Sequence, residues 1–118
     1  MKKEYRIKKT SEIDAIFKNR KSRNNQYYGI HQKRNENNEH FRFALSIGKK
    51  YGNAVERNLA KRRIRAVVLE CSKSFNKKSD FVIVIKPASN QLKFQELRTS
   101  LIDLFIKSRI MENKHEKH

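Results

Sequence analysis

The 118-residue sequence predicts a single α+β domain in which helices lie on a small sheet. Three observations lead there. Helix-like and strand-like runs follow one another in the order α-β-β-α-β-α, with no internal repeat and no Pro/Gly/Ser-rich linker. Phe41-Arg-Phe-Ala-Leu-Ser-Ile47 alternates large apolar residues with smaller or polar ones, the pattern of a half-buried strand. Phe81-Val-Ile-Val-Ile85 is a continuous, largely β-branched run, suited to a central strand buried on both faces. The length fits one domain with a modest core. That domain is expected over residues 1–110, with a polar tail over 111–118.

Residues 1–10 form a basic arm with five Lys/Arg and one Glu. Thr10 or Ser11 is placed to cap a short helix whose apolar residues Ile13, Ile16 and Phe17 fall at i, i+3 and i+4. Arg20 to Asn25 is polar and reads as a turn. Tyr27 to His31 reads as a strand, and Gln32 to His40 as a charged, Asn-rich loop. The strand from Phe41 to Ile47 comes next, then a helix from Asn53 to about Ser74. Asn76 to Asp80 interrupts the pattern before the central strand, and Pro87 closes that strand because proline cannot continue a ladder. Leu97, Leu101, Leu104 and Phe105 mark a last amphipathic helix.

Most of the chemical information lies between Lys49 and Arg65, where seven Lys/Arg accompany a single Glu in seventeen residues. Asn53 is a good N-cap, and Glu56 stands three residues later, where a capping-box carboxylate reaches back. At about 100° per residue, Arg57, Lys61, Arg65, Asn58 and Arg62 share one arc of this helix. Ala60, Ile64, Val67, Val68 and Cys71 occupy the neighbouring arc, the one expected to pack. Like charges at i,i+4 cost an isolated helix a few tenths of a kcal/mol per pair, roughly. A polyphosphate outside the chain would offset that cost.

Composition points to the same partner. The formal net charge is +17 and the pI about 10.3, a field that steers polyanions, nucleic acid before an anionic membrane surface. No apolar run approaches the roughly 20 residues of a spanning helix, and MKKEYRIKKTSE has no apolar segment of a signal peptide. One cysteine cannot form an internal disulfide, so a cytoplasmic setting is expected, with Cys71 a small buried hydrophobe. The three glycines, Gly29, Gly48 and Gly52, are isolated and form no phosphate loop. The carboxylates are scattered, and His115 and His118 in the tail are not expected to hold a metal. No nucleophile stands beside a base, so an autonomous active site is not expected. Tyr27 and Tyr28 adjoin in a strand expected to be covered on one side only. They therefore cannot both point inward, and one ring is free to stack on an unpaired base.

Arg57-Asn58-x-x-Lys61-Arg62-x-x-Arg65, preceded by Lys49-Lys50-x-Gly52-Asn53-Ala54-Val55, closely resembles the signature of the protein subunit of bacterial ribonuclease P. The resemblance extends over nearly the whole chain: to Ile7-Lys8-Lys9 before the first helix, to Phe41-Arg42-x-x-Leu45-Ser46-Ile47, and to Val82-Ile83-Val84-Ile85-x-Pro87-Ala88. It implies a small mixed sheet of the ribosomal protein S5 domain 2-like kind, with the basic helix making a left-handed crossover between parallel strands. It also implies removal of the 5′ leader from precursor tRNA by a partner RNA using Mg²⁺, with no cofactor on the protein itself. The implied partners are the ribonuclease P RNA and the precursor tRNA leader, with no membrane and no protein partner.

Under that resemblance Lys49, Lys50, Arg57, Asn58, Lys61, Arg62 and Arg65 meet the catalytic RNA, and no residue of the chain is catalytic. Ile13, Phe17, Tyr28 and His31 flank a shallow groove for the single-stranded leader. Ile13, Phe17 and His31 fall where the family's cleft usually carries aromatics; Phe17 keeps a ring, Ile13 does not, and His31 replaces a usual Tyr. The alternative is a structural, ribosomal-type RNA-binding protein without a processing role, which would remain with ribosomal subunits on a sucrose gradient. A self-sufficient nuclease, by contrast, would cut RNA without an RNA partner.

Overall fold

The computed structural model describes residues 5–111. Its elements are α1 (Thr10–Lys18), β1 (Lys21–Asn24), β2 (Tyr28–Arg34), β3 (Arg42–Ile47), α2 (Ala54–Glu70), β4 (Ser79–Ile85) and α3 (Phe94–Lys107). Short 3₁₀ turns cover Lys49–Tyr51 and Pro87–Gln91. The four strands form one mixed sheet in the order β1-β2-β4-β3. β2 runs antiparallel to both β1 and β4, while β3 is parallel to β4. The helix between those parallel neighbours is α2, so the cationic segment is the crossover of a βαβ unit.

The expected α-β-β-α-β-α order holds with one addition. Lys21 to Asn24, read from sequence as a turn, is an edge strand paired with β2 from Lys21↔Gln32 to Asn24↔Gly29. All four of its residues are exposed, so no apolar alternation announced it; the strand exists because β2 offers a free ladder. Asn25 then turns the chain, its Oδ1 accepting from the N–H groups of Tyr27 (2.9 Å) and Tyr28 (2.8 Å). Tyr27 thus belongs to the turn and β2 runs on to Arg34. Two ends also differ. Thr10 and Ser11 do not cap α1, since the helix begins at Thr10 with Lys9 as its uncapped N-cap residue. Helix α2 stops at Glu70, and Cys71 to Ser74 form turns instead of a last helical turn.

Strand alternation distributes the core to two faces. On one face Ile30, Phe43, Phe81, Ile83 and Ile85 pack with Ile64, Val67 and Val68 of α2 and with Leu97, Leu101, Leu104 and Phe105 of α3. On the other, Ala44 and Val82 pack with Ile7 and Ile16, with Ile13, Phe17 and Val84 partly buried around them. Helices therefore lie on both faces, but α1 is only nine residues long and leaves part of its face open. Met111, placed in the polar tail by its sequence position, is buried and bridges to Phe75; residues 112–118 lie outside the described residues. Among those described, no helix is long and apolar enough to cross a membrane.

One polar cluster ties these layers together. Asp80, 5% exposed, accepts from Arg42 Nη2 (2.7 Å), Asn38 Nδ2 (2.7 Å) and Asn35 Nδ2 (3.1 Å). Arg42 Nη2 also reaches Glu12 Oε2 at 2.7 Å, joining α1 to β3. Burial by itself would raise the Asp80 carboxyl's pKa, but the hydrogen bonds from Arg42, Asn38 and Asn35 together outweigh it and hold the group below its ordinary value. A depressed folded value contributes stability that is complete above the ordinary 3.8 and is lost as pH falls below it. Asp80→Ala is expected to lower the unfolding free energy at pH 7 by roughly 2–4 kcal/mol, below the cost of breaking a fully enclosed pair because Arg42 keeps some water contact. Urea melts at pH 7 and pH 3 check this, and the gap between wild type and variant narrows at the lower pH.

Candidate RNA interface

Helix α2 begins as its sequence dictates. Asn53 Oδ1 accepts from the Glu56 N–H at 2.8 Å, and Glu56 Oε1 accepts from the Asn53 N–H at 2.9 Å, a complete capping box. The preceding glycine is part of the device. A Cβ on Gly52 would lie 2.6 Å from Glu56 Oε1, so a side chain there would displace the capping carboxylate. Glu56 is thereby held at the helix start, away from the cations that follow.

The expected apolar arc is confirmed, with Ala60, Ile64, Val67, Val68 and Cys71 all buried. The cationic arc beside it divides in two. Asn58 and Arg62 are exposed, whereas Arg57, Lys61 and Arg65 form a half-buried stripe at i, i+4 and i+8. Arg57 Nε is buried without a hydrogen-bond partner among the described residues, a donor that an arriving anion would satisfy. Arg63, which the sequence reading did not assign, lies on the opposite flank near Tyr51, whose phenol pKa burial pushes up against the opposing pull of the Arg63 charge. Lys49 and Lys50 are exposed in the 3₁₀ turn leading into the helix. None of these cations forms an ion pair among the described residues.

The second region is the open part of the sheet face beside α1. Phe17 and His31 meet edge to face there, ring centroids 4.7 Å apart and planes at 61°. Gly29 and Val84 pair in the next row of that face, with Ser46 beside Val84. A Cβ on Gly29 would fall 2.3 Å from Asn24 Oδ1, so the glycine leaves room for that side chain over the strand. Lys86 follows Val84 on the same parity, its Nζ donating to the Asn25 carbonyl at 2.7 Å. Burial and then the Lys86 charge push the His31 pKa below its ordinary value, keeping the ring neutral at pH 7. Lys86 was missed from sequence, although continuing the alternation from Val82 and Val84 would have found it.

Ile13, Phe17 and His31 are thus brought together as expected, and Tyr28 is not. Tyr28 is 1% exposed, belongs to the core on the α2/α3 face, and has its pKa pushed up to about 12, chiefly by burial. Tyr27 packs against that same core from the turn. The rule that adjacent strand residues face opposite ways does not apply, because Tyr27 precedes the strand. Among the described residues no three His, Cys, Asp or Glu side chains gather where they could hold a metal ion.

A small α+β protein built around a cationic crossover helix, with a half-open aromatic groove on the other sheet face, defines a narrow structural class. Comparison gives the class its name. A family model described as Ribonuclease P matches residues 1–109. The ribonuclease P protein component of Acholeplasma laidlawii is 45% identical over 114 residues, covering 97% of each chain. The Staphylococcus aureus RNase P protein superposes with a TM-score of 0.84 at 29% identity, covering 92% of this chain and 98% of that one. A mutant of the S. aureus protein with defective mRNA degradation activity gives 0.88 at 28%, covering 92% of each. The chain belongs to the family of ribonuclease P protein components, the protein subunits of a tRNA-processing ribonucleoprotein.

The burial of Tyr28 gives it a packing role and no direct part in binding. Tyr28→Ala is expected to cost about 3–5 kcal/mol of stability in a urea melt, as for other buried rings. Its affinities for RNA, measured well below the melting point, should change equally for every substrate.

Proposed function

We propose that the chain serves ribonuclease P by binding its catalytic RNA through α2 and the single-stranded leader of precursor tRNA through the α1 groove. Bond cleavage, in this reading, belongs to the partner RNA and its Mg²⁺. The observation that carries it is the Phe17–His31 pair at the open end of the sheet face. A half-exposed aromatic edge beside a strand is a stacking platform for unpaired bases, each worth about 1–3 kcal/mol and tolerant of sequence. His31 is neutral at physiological pH and Lys86 stands beside it, so stacking and phosphate attraction coexist in one groove.

The α2 surface supports the second half of the proposal. Arg62 and Asn58 are exposed on the helix and Lys49 and Lys50 on its approach. Arg57, Lys61 and Arg65 are fixed by their partial burial and carry less rotational freedom to lose on binding. Such an interface binds phosphates with little sequence demand, as a subunit serving many precursor tRNAs requires. Arg62→Ala should make the plot of log K against log[salt] for the ribonuclease P RNA shallower by about one unit. Its melting curve should match wild type, since the side chain lies off the packed arc.

Reconstitution tests the whole reading. The chain, a bacterial ribonuclease P RNA and precursor tRNA are combined at low Mg²⁺, and matured 5′ ends are expected only when both subunits are present. Specific cleavage by protein without RNA would overturn the assignment of catalysis. In the same assay Phe17→Ala should weaken precursor tRNA by about 1–3 kcal/mol and leave mature tRNA unchanged. A large fall in melting temperature with equal losses for both tRNAs would instead make Phe17 a core residue.

A further inference from the structure

The groove and α2 lie on different faces of the sheet, yet a cavity of about 270 Å³ joins them around the outer edge of β3. Ile13 of the groove helix lines one side; Lys61 and Arg65 of the cationic stripe line the other. The arm supplies Arg6 and Lys8. Its course is fixed by an N–H···O bond of 2.9 Å from Ile7 to Phe43. The Phe43 carbonyl thus faces outward, and by strand alternation the backbone of Leu45, two residues on, faces the same way along the cavity wall.

The charge of this cavity is one-sided. Four cationic side chains from two elements line it and no carboxylate does. None of the four is ion-paired among the described residues. Burial, and then the proximity of Arg6, make the charged form of Arg65 harder to hold. The folded protein therefore sustains mutual repulsion at a site with apolar walls, Ile13 and Leu45, and room near the lower end of the range for ligand pockets. A single phosphate with its sugar matches that charge and size.

We propose that this cavity holds one sugar–phosphate unit of the precursor tRNA leader as the strand passes from the α1 groove around the β3 edge toward α2. The inference rests on the groove reading above and adds a site of its own. Ile13 and Phe17 stand one turn apart on α1, about 6 Å along its axis. That is one or two nucleotides at the roughly 3.4 Å spacing of stacked bases. The cavity thus lies within reach of a base stacked at Phe17, and Arg6 and Lys8 become leader-positioning residues.

A thermodynamic cycle in the reconstituted holoenzyme tests it. Precursor tRNAs are made with one leader phosphate at a time replaced by an uncharged methylphosphonate. One position should lose affinity by roughly threefold to tenfold, the effect of a single phosphate contact. Lys8→Ala and Arg6→Gln should weaken the unmodified precursor similarly and abolish the further loss at that position alone. Both side chains are exposed, so melting curves should not move. If no position couples to either variant while Phe17→Ala still discriminates precursor from mature tRNA, the cavity is not a leader site although the groove reading stands. If both variants weaken mature and precursor tRNA alike, the cations serve the catalytic RNA and the inference is overturned. Loss of discrimination in the Phe17→Ala control itself overturns the groove reading and this inference together.

Discussion

The arrangement depends on one guanidinium. Arg42 binds Asp80 on the neighbouring parallel strand and Glu12 on the first helix, so a single side chain sets both the β3–β4 register and the seat of α1. Because Asp80 also accepts from Asn35 and Asn38, the loop after β2 is gathered into the same point. A carboxylate as buried as Asp80 is tolerated only when its hydrogen-bonding capacity is filled, and here Arg42, Asn35 and Asn38 fill it. Without that anchor a nine-residue, side-chain-uncapped helix would have only Ile16 fully buried to hold it. The groove beside α1 is therefore a consequence of an ion cluster at the other end of the helix.

The crossover helix contributes a different kind of order. A helix joining two adjacent parallel strands is constrained at both ends by the sheet, and its apolar arc fixes its rotation as well. Its polar side chains inherit that rigidity in unequal measure: Arg57, Lys61 and Arg65 are half-buried against the body, while Asn58 and Arg62 stand exposed. The first set has less rotational freedom to lose on meeting a partner, the second more. The division follows from a rotational offset averaging about 80° around one helix.

What the sequence disclosed, it disclosed through local signals. Asn53 and Glu56 form a short-range motif, and the arc from Ala60 to Cys71 repeats at helical spacing, so α2 was legible almost to its end. Phe41 to Ile47 and Phe81 to Ile85 were legible because burial on one or two faces writes itself into composition. β1 was not, since an exposed edge strand needs only a neighbour's free hydrogen bonds. The misplacement of Tyr28 has a related origin. Strand alternation applies only from where the strand begins, and the Asn25 side chain holds Tyr27 in the turn before it, so that both rings reach the same core. The Arg42–Asp80 pair spans 38 residues of chain, and no periodicity encodes such a meeting. The division of the cationic arc was likewise hidden, because it depends on how closely α2 approaches β3 and the arm.

The polar character of β1 matters when two copies of the chain meet. An open sheet ends in unpaired backbone groups, and a second molecule can add its own strand there. Here that rim presents Lys21 and Arg23 with no apolar side chain among its four residues. An antiparallel pairing of two such rims would set cation against cation and bury nothing that water rejects. The strand that was hardest to see is thus a colloidal safeguard, a polar rim at one of the two edges of the sheet in a highly charged molecule.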